Sequence, residues 1–202
     1  GQLFRGRDAH TTTALLRRNR NFRLHFLAST ITNLGDGVSV LAMPWLATLL
    51  TRDAFLISLV VTAGRLPWLL FSLPAGVWTD RADRRKMMVR ADLVRMGLTL
   101  GVVGLILSGP ALPQPAGAGA GMILMLAALN FLLGTAEVLR DNAAQTLMPE
   151  IVAPADLERA NGQMWSAEQV MNQFVGPPLA GALIGFGIAL PFGLDAATFA
   201  IA

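Results

Sequence analysis

The fold is decided by the apolar stretch LISLVVTAGRLPWLLFSLPAGVW at residues 56–78 and by the charged stretch TDRADRRK that follows it at 79–86. The first stretch has the length of a membrane-spanning helix, which needs about 20 predominantly apolar residues to cross the hydrocarbon core of a bilayer. The second stretch is too charged for that core and belongs at a membrane surface. Together they predict a membrane-spanning helix that leads into a loop in water.

The same alternation of apolar and charged segments extends over all 202 residues, of which 53% are hydrophobic and only 14% are charged. Soluble domains have about 25% charged residues, so this composition excludes a soluble globular protein. We predict an all-α, polytopic membrane helix bundle. Six transmembrane helices are expected, at residues 24–50, 56–78, 87–108, 121–139, 163–188 and 191–202. The sixth is truncated, because it holds about 12 of the roughly 20 residues that a span requires, and we expect the native polypeptide to continue.

The distribution of Lys and Arg predicts the orientation of the bundle. Six of these residues lie in 1–23, five in 79–90 and two in the polar connection 140–162, all on one side of the membrane, whereas Arg52 is alone on the other side. Cytoplasmic segments carry the excess of Lys and Arg. We therefore expect a cytosolic basic tail at 1–23 and an N-terminal transmembrane domain at 24–202, in a multi-pass protein of the inner (plasma) membrane with its N-terminus in the cytoplasm.

Few residues in the chain could support catalysis or hold a metal. Cysteine is absent, and His10 and His25 are the only histidines. Two histidines without cysteines do not make a zinc cluster, and no nucleophilic triad or phosphate-binding glycine-rich loop is visible. We predict that the protein is not an enzyme and has no catalytic residues, metal site or cofactor. The net charge of +3 does not indicate a nucleic-acid partner, because the basic residues lie at membrane flanks.

The charged loop after the second predicted span contains a recognisable pattern of glycine, aspartate and arginine. Its members are Gly76, Asp80, Arg81, Arg84 and Arg85. This spacing resembles the loop signature of the major facilitator superfamily, and the Asp-Arg-x-Asp-Arg-Arg form is similar to its enterobactin-exporter and macrolide-efflux branch. Further similarities are found in Asn33 to Asp36, Arg65 to Pro67 and Leu147 to Glu150. The resemblance implies the amino-terminal six-helix half of a twelve-helix transporter, with the carboxyl-terminal six-helix half as its missing partner.

As part of such a protein, the loop would act as a conformational latch. Gly76 would permit close approach of another helix, and Asp80 would sit at a helix N-terminus, where the helix dipole favours negative charge. The arginines would pair with Glu137 and Asp141 as latch partners. The alternative is an ordinary positively charged cytoplasmic loop, which any membrane protein can have.

Ionisable residues inside predicted spans are functional candidates because they are costly to place in lipid. Asp36 lies about 18 Å along the first span at 1.5 Å per residue, near mid-bilayer, where it would carry a proton or form a fixed ion pair with Arg65. Arg65 could instead attract an anionic group of a substrate. Glu168 and Asn172 could face a substrate cavity or be satisfied by neighbours.

Three other intramembrane residues receive local interpretations. Asp92 and Arg95 are three residues apart on one helical face and are expected to pair with each other. Asp195 is expected to lie at shallow depth and to reach towards the interface.

Small and bulky residues complete the predicted site. Gly176, Pro177 and Gly181 form a kink motif that is similar to the Gly-Pro motif of exporting family members, or else a kink that serves packing. The pairs Gly97 and Gly101, and Gly181 and Gly185, have the spacing for close helix contact. A cavity for an amphipathic compound could be lined by six residues, each of which could instead anchor or pack a helix: Trp45, Trp68, Asn130, Trp165, Met171 and Gln173.

The expected function is secondary active transport. We predict proton-coupled efflux of a small hydrophobic or amphipathic molecule, such as an antibiotic or a siderophore, by alternating access. The partners would be membrane lipids, this small-molecule substrate and the coupling proton. The alternative is a non-transporting membrane module, or a half-transporter that requires a separate partner chain.

Overall fold

The computed structural model describes residues 12–114 and 120–202, and every regular element in these ranges is helical. The helices are α1 (Thr12–Arg18), α2 (Arg20–Leu50), α3 (Ala54–Asp80), α4 (Arg84–Ser108), α5 (Ala120–Ile151), α6 (Leu157–Gln169), α7 (Gly176–Phe186) and α8 (Ala189–Ile201). A single 3-10 turn, Pro154–Asp156, precedes α6, and a π-helical segment, Val170–Val175, joins α6 to α7. The predicted all-α fold class is confirmed. The first 11 residues of the predicted tail lie outside the described ranges.

Four of these helices, α2 to α5, are long and apolar enough to cross a membrane, and α8 is a shorter apolar helix. They agree with the first four predicted spans. The fifth predicted span corresponds to α6, the π-helical segment and α7, which follow one another without a break from Leu157 to Phe186. Because six spans were predicted and four helices have this length and composition, the number of crossings and the orientation stay predictions.

Polar side chains at the chain reversals fix where the long helices begin. Asn19, Asp53 and Asp83 are the N-caps of α2, α3 and α4, and their side-chain oxygens accept hydrogen bonds from the backbone N–H groups of Phe22, Phe55 and Lys86. Each cap satisfies an N–H group that has no partner within the helix. The short polar segments between apolar stretches therefore start the next helix as well as ending the previous one.

The fourth long helix extends beyond the predicted span at 121–139. It continues to Ile151, so the prediction of a polar connection over 140–162 is wrong for its first half. Arg140 does not lie in a loop in water, because its side chain is buried and close to the carboxylate of Asp92 on α4. A charge that is paired inside the bundle looks, in sequence alone, like a charge in a loop.

Helix α2 packs mainly against α7 and α8, whereas α3 and α4 pack against α5, and α2 has an apolar cluster near each end. Leu46, Leu50, Val60, Ile123 and Phe192 belong to the cluster at its C-terminal end. A smaller cluster at its N-terminal end includes Phe22, Met148 and Val152. The polar residues of α2 lie between these two clusters, so the fold places the candidate site in the middle of the bundle.

Glycines permit the closest helix contacts, but not at the predicted positions. A Cβ atom on Gly134 of α5 would collide with the carbonyl oxygen of Gly64 on α3, and a Cβ atom on Gly176 would lie 2.6 Å from the Cα atom of Gly37 on α2. By contrast, among the described residues no atom lies within 4 Å of a Cβ placed on Gly76, Gly97, Gly181 or Gly185, and Gly101 would meet only Leu129, at 3.9 Å. Within the described residues, these five glycines therefore do not bring two helices as close together as Gly134 and Gly176 do. The spacing of small residues does not reveal which side of a helix faces a neighbour.

We expect Gly134→Leu to reduce the free energy of unfolding of the detergent-solubilised protein by about 1–3 kcal/mol, the usual cost of overpacking. The new side chain would have to displace the Gly64 carbonyl and Pro67, whose Cγ atom would lie 3.1 Å from the new Cβ. The matched control is Gly97→Leu, which adds the same side chain where there is space. Thermal unfolding of both variants checks this, and equal unfolding temperatures would contradict the α3–α5 contact.

Candidate functional site

The candidate site is a cavity of about 930 Å³ bordered by α2, α3, α5 and the segment from α6 through the π-helical turns. Its volume lies within the range of cavities that hold drug-sized ligands. Two more helices contribute lining residues: Arg95 comes from α4, and Asp195 and Phe199 come from α8. Polar residues of four or more helices therefore converge on one space.

Asp36 is paired in this cavity, but not with the predicted residue. Its Oδ1 atom accepts a hydrogen bond from Nη2 of Arg95, whose side chain is only 3% exposed. The alternative interpretation of Asp36, a fixed ion pair with Arg65, named the wrong partner. Arg65 is instead exposed on the cavity wall. The sequence does not reveal the rotational position of Asp36 on α2, and that position determines which basic residue it meets.

The ion pair of Asp36 continues into a buried network across three helices. Arg95 Nη1 lies 3.6 Å from Asp92 Oδ1, so the predicted Asp92–Arg95 proximity is confirmed. The same Asp92 oxygen is 3.6 Å from Nε of Arg140 on α5. Arg140 also donates a hydrogen bond from Nη2 to Ser29 Oγ on α2, at 3.1 Å. At 3.6 Å the two contacts of Asp92 are electrostatic rather than hydrogen-bonding. This arrangement joins α2, α4 and α5 through opposite charges.

Asp195 is part of the interior, and the prediction of a shallow, interface-seeking side chain is wrong. Its side chain is buried, and its Oδ2 atom accepts a hydrogen bond from the Ser39 hydroxyl. Nearby on α8, the ring of Phe199 lies 4.3 Å from the Arg95 guanidinium carbon, which permits a cation–π interaction. The general rule that an intramembrane carboxylate is a functional candidate could have identified Asp195.

Other predicted candidates also lie on the cavity wall. Arg65, Glu168 and Asn172 line it, as does Glu137, which was expected in the latch. Four of the six predicted lining residues are found there: Trp68, Asn130, Trp165 and Gln173. Trp45 and Met171 are not among the lining residues. Asn130 also has a structural role, because its side-chain amide donates to the Val60 carbonyl at 2.7 Å.

The loop between α3 and α4 has a different geometry from the one predicted. Asp80 is the last residue of α3, whereas Asp83 caps the N-terminus of α4, so the favourable position at a helix dipole belongs to Asp83. The Lys86 N–H donates to Asp83 Oδ1 at 3.2 Å, and this hydrogen bond lowers the pKa of the Asp83 carboxyl. Asp83 therefore stays ionised at neutral pH and keeps the cap in place.

The arginines of this loop also have a different partner. Arg84 Nη1 forms an ion pair with Glu150 near the end of α5. Among the ion pairs of residues 12–114 and 120–202, neither Glu137 nor Asp141 contacts a loop arginine, which corrects the predicted latch partners. Asp141 lies beside Arg140, at 3.5 Å. Because α5 continues beyond Asp141, Glu150 lies about 13 Å further along the helix at 1.5 Å per residue, next to the loop between α3 and α4.

The predicted kink motif coincides with a change in helix type. Gly176 and Pro177 begin α7, directly after the π-helical turns of Val170–Val175, and the Gly176 N–H bonds to the Met171 carbonyl five residues earlier. Proline lacks an N–H and clashes with the carbonyl of the residue four positions before it. The wider π turns relieve that conflict, and Gly176 packs against Gly37. Gly181 faces open space.

Comparison with known proteins gives a consistent picture. The family model described as transmembrane secretion effector matches residues 10–202. The chain is 32% identical over 174 residues to the multidrug efflux pump Tap of Mycobacterium tuberculosis, covering 83% of this chain and 39% of that protein. It is 29% identical over 163 residues to Tap of Mycolicibacterium fortuitum, covering 80% and 38%. It is 27% identical over 185 residues to the enterobactin exporter EntS of Shigella boydii, covering 91% and 42%.

The chain spans about two fifths of the length of these relatives. No solved structure gives a significant match. The family match extends over nearly the whole chain and agrees with the helical fold and with the loop signature at Gly76 to Arg85. The chain belongs to the transmembrane secretion effector family of the major facilitator superfamily, and the similar proteins named above are efflux transporters.

Proposed function

We propose that the full-length protein exports a small hydrophobic or amphipathic molecule across the plasma membrane and is driven by protons. The observation that carries this proposal is the cavity of about 930 Å³ in which Asp36 is paired with Arg95. The similar proteins are named as a multidrug efflux pump and an enterobactin exporter. These names favour an antibiotic or a siderophore as the kind of substrate.

The cavity wall suits a ligand of mixed character. Trp68, Trp165 and Met164 offer large polarisable surfaces, and thioether and aromatic groups adapt to ligands of different shape. Arg65 and Glu168 add one charge of each sign. Such a wall combines apolar area with many polar and charged groups, which suits an amphipathic compound better than a purely apolar one.

Asp36 is the group that we assign to proton coupling. When ionised, it attracts the Arg95 guanidinium; when protonated, it loses that attraction, and Arg95 is left with Asp92 as its nearest carboxylate, at 3.6 Å. Asp36 is on α2 and both Arg95 and Asp92 are on α4, so the proton changes the force between two helices at the cavity. A change in helix–helix attraction is what alternating access requires of a coupling site.

The loop between α3 and α4 supplies the latch in this proposal. The Arg84–Glu150 ion pair ties the start of α4 to the end of α5, and both side chains are partly exposed. Such a pair contributes less than about 1 kcal/mol, so it can form and break during a transport cycle. The distribution of Lys and Arg supports a cytoplasmic position for this loop and for the N-terminus.

Asp36→Asn in the full-length protein is expected to reduce proton-driven export to the level of empty vesicles, because the amide side chain does not ionise and so cannot take up and release the coupling proton. The measurement is transport of a fluorescent amphipathic substrate in proteoliposomes under an imposed pH gradient. The matched control is Glu158→Gln, an exposed carboxylate outside the cavity. Undiminished proton-driven transport by Asp36→Asn would remove this residue from the mechanism.

The complete reading frame distinguishes this proposal from the alternative of a non-transporting module or half-transporter. Six further spans encoded after Ala202 would support a single-chain transporter. A stop codon near that position would favour a module that needs a partner chain.

The latch is tested by exchanging its charges. We expect Arg84→Glu to slow transport by up to about fivefold, the equivalent of about 1 kcal/mol, because it places like charges together at Glu150. The double variant Arg84→Glu/Glu150→Arg should recover most of the lost rate. The same exchange with the neighbour, Arg85→Glu/Glu150→Arg, serves as the control and should not. Equal recovery by both double variants would show that only net loop charge matters.

A further inference from the structure

A second groove, of about 430 Å³, lies between α4 and α5 and shares no lining residue with the cavity. Two of its larger apolar side chains, Val94 on α4 and Leu132 on α5, are each about half exposed. Most of its lining is apolar, whereas the end beside the loop before α4 is charged. The groove is therefore amphipathic along its own axis.

The α4 side of the groove is a single stripe. Lys86, Arg90, Val94 and Leu98 are four residues apart in succession and so lie on one face of the helix. From Lys86 to Leu98 the stripe is about 18 Å long at 1.5 Å per residue. This length is close to the thickness of one leaflet, about half of the 30 Å hydrocarbon core. The facing wall is formed by Leu132, Ala136 and Leu139 of α5.

The positive charge at the end of the groove is poorly compensated by the protein. Arg90 has no ion pair among the described residues, and Lys86 has one 3.6 Å contact, to the exposed carboxylate of Asp83. Both basic side chains are exposed. Because α4 has the length and composition of a membrane span, its start lies at the level of the lipid headgroups. The groove thus offers two cations to a headgroup and an apolar channel to the chain attached to it.

We propose that this groove binds one anionic phospholipid, with its phosphate between Lys86 and Arg90 and an acyl chain along the stripe that ends at Leu98. A free anion would use only the charged end and leave the apolar walls without a partner. An apolar helix from elsewhere in the protein would cover the walls but leave both cations uncompensated. A zwitterionic lipid carries no net negative charge. The anionic lipid matches both ends of the groove.

The test is native mass spectrometry of the full-length protein titrated with phosphatidylglycerol or with phosphatidylcholine. We expect one tightly bound phosphatidylglycerol and weaker phosphatidylcholine binding. In Lys86→Gln/Arg90→Gln, phosphatidylglycerol affinity should fall about fivefold for each charge removed, since each basic residue near an anionic membrane surface contributes about 1 kcal/mol. The control Arg52→Gln/Arg159→Gln removes the same charge from exposed arginines outside the groove and should bind phosphatidylglycerol like the unmodified protein.

A second variant, Leu132→Trp, keeps both charges and fills the channel. It should also weaken phosphatidylglycerol binding without lowering the unfolding temperature. Equal phosphatidylglycerol affinity in the Lys86→Gln/Arg90→Gln variant and its control would overturn the proposal. So would displacement of the lipid by inorganic phosphate at equal concentration, which would indicate a simple anion site. A Leu132→Trp variant that unfolds more easily but binds the lipid normally would show that another helix occupies the groove, which also overturns it.

Discussion

The structure depends on the pairing of charge inside a bundle that sits in lipid. A carboxylate or guanidinium in hydrocarbon is costly unless it meets an opposite charge or enters a water-filled space. Here Arg95 and Arg140, each 3% exposed, have Asp36, Asp92 and Asp141 as their neighbours. These contacts connect α2, α4 and α5 at their middle, between the two apolar clusters of α2. Apolar packing holds the ends of α2, and charge pairing determines how its middle is oriented.

The same contacts connect charge pairing with the transport function proposed for the cavity. Residues that must be paired for stability are also those on which a proton would act, because Asp36 borders the cavity while its partner Arg95 reaches it from α4. The contact between Gly37 and Gly176 brings the π-helical segment and the start of α7 close to α2.

Hydropathy alone predicted the helical class and the first four long helices, because a stretch of about 20 apolar residues is recognisable from its composition as a helix suited to lipid. It failed at the end of α5, where Arg140 and Asp141 read as a loop but are paired in the bundle. The ion-pair partner expected for Asp36 was wrong, since rotation about a helix axis depends on packing. The partner of Arg84 was missed for a related reason: Glu150 reaches the loop only because α5 is longer than predicted. Tertiary pairing, rather than local pattern, decides all three cases.

The most direct test of charge pairing in the bundle interior is a double-mutant cycle on Asp36 and Arg95. The free energy of unfolding would be measured in detergent for Asp36→Leu, for Arg95→Leu and for the double variant. Each single change leaves a charge buried without its partner and should cost about 3–5 kcal/mol. The double variant should lose less than the sum of the two by at least about 1 kcal/mol, as residues in direct contact do. Strictly additive losses would contradict the account, because they would mean that the two charges do not stabilise each other.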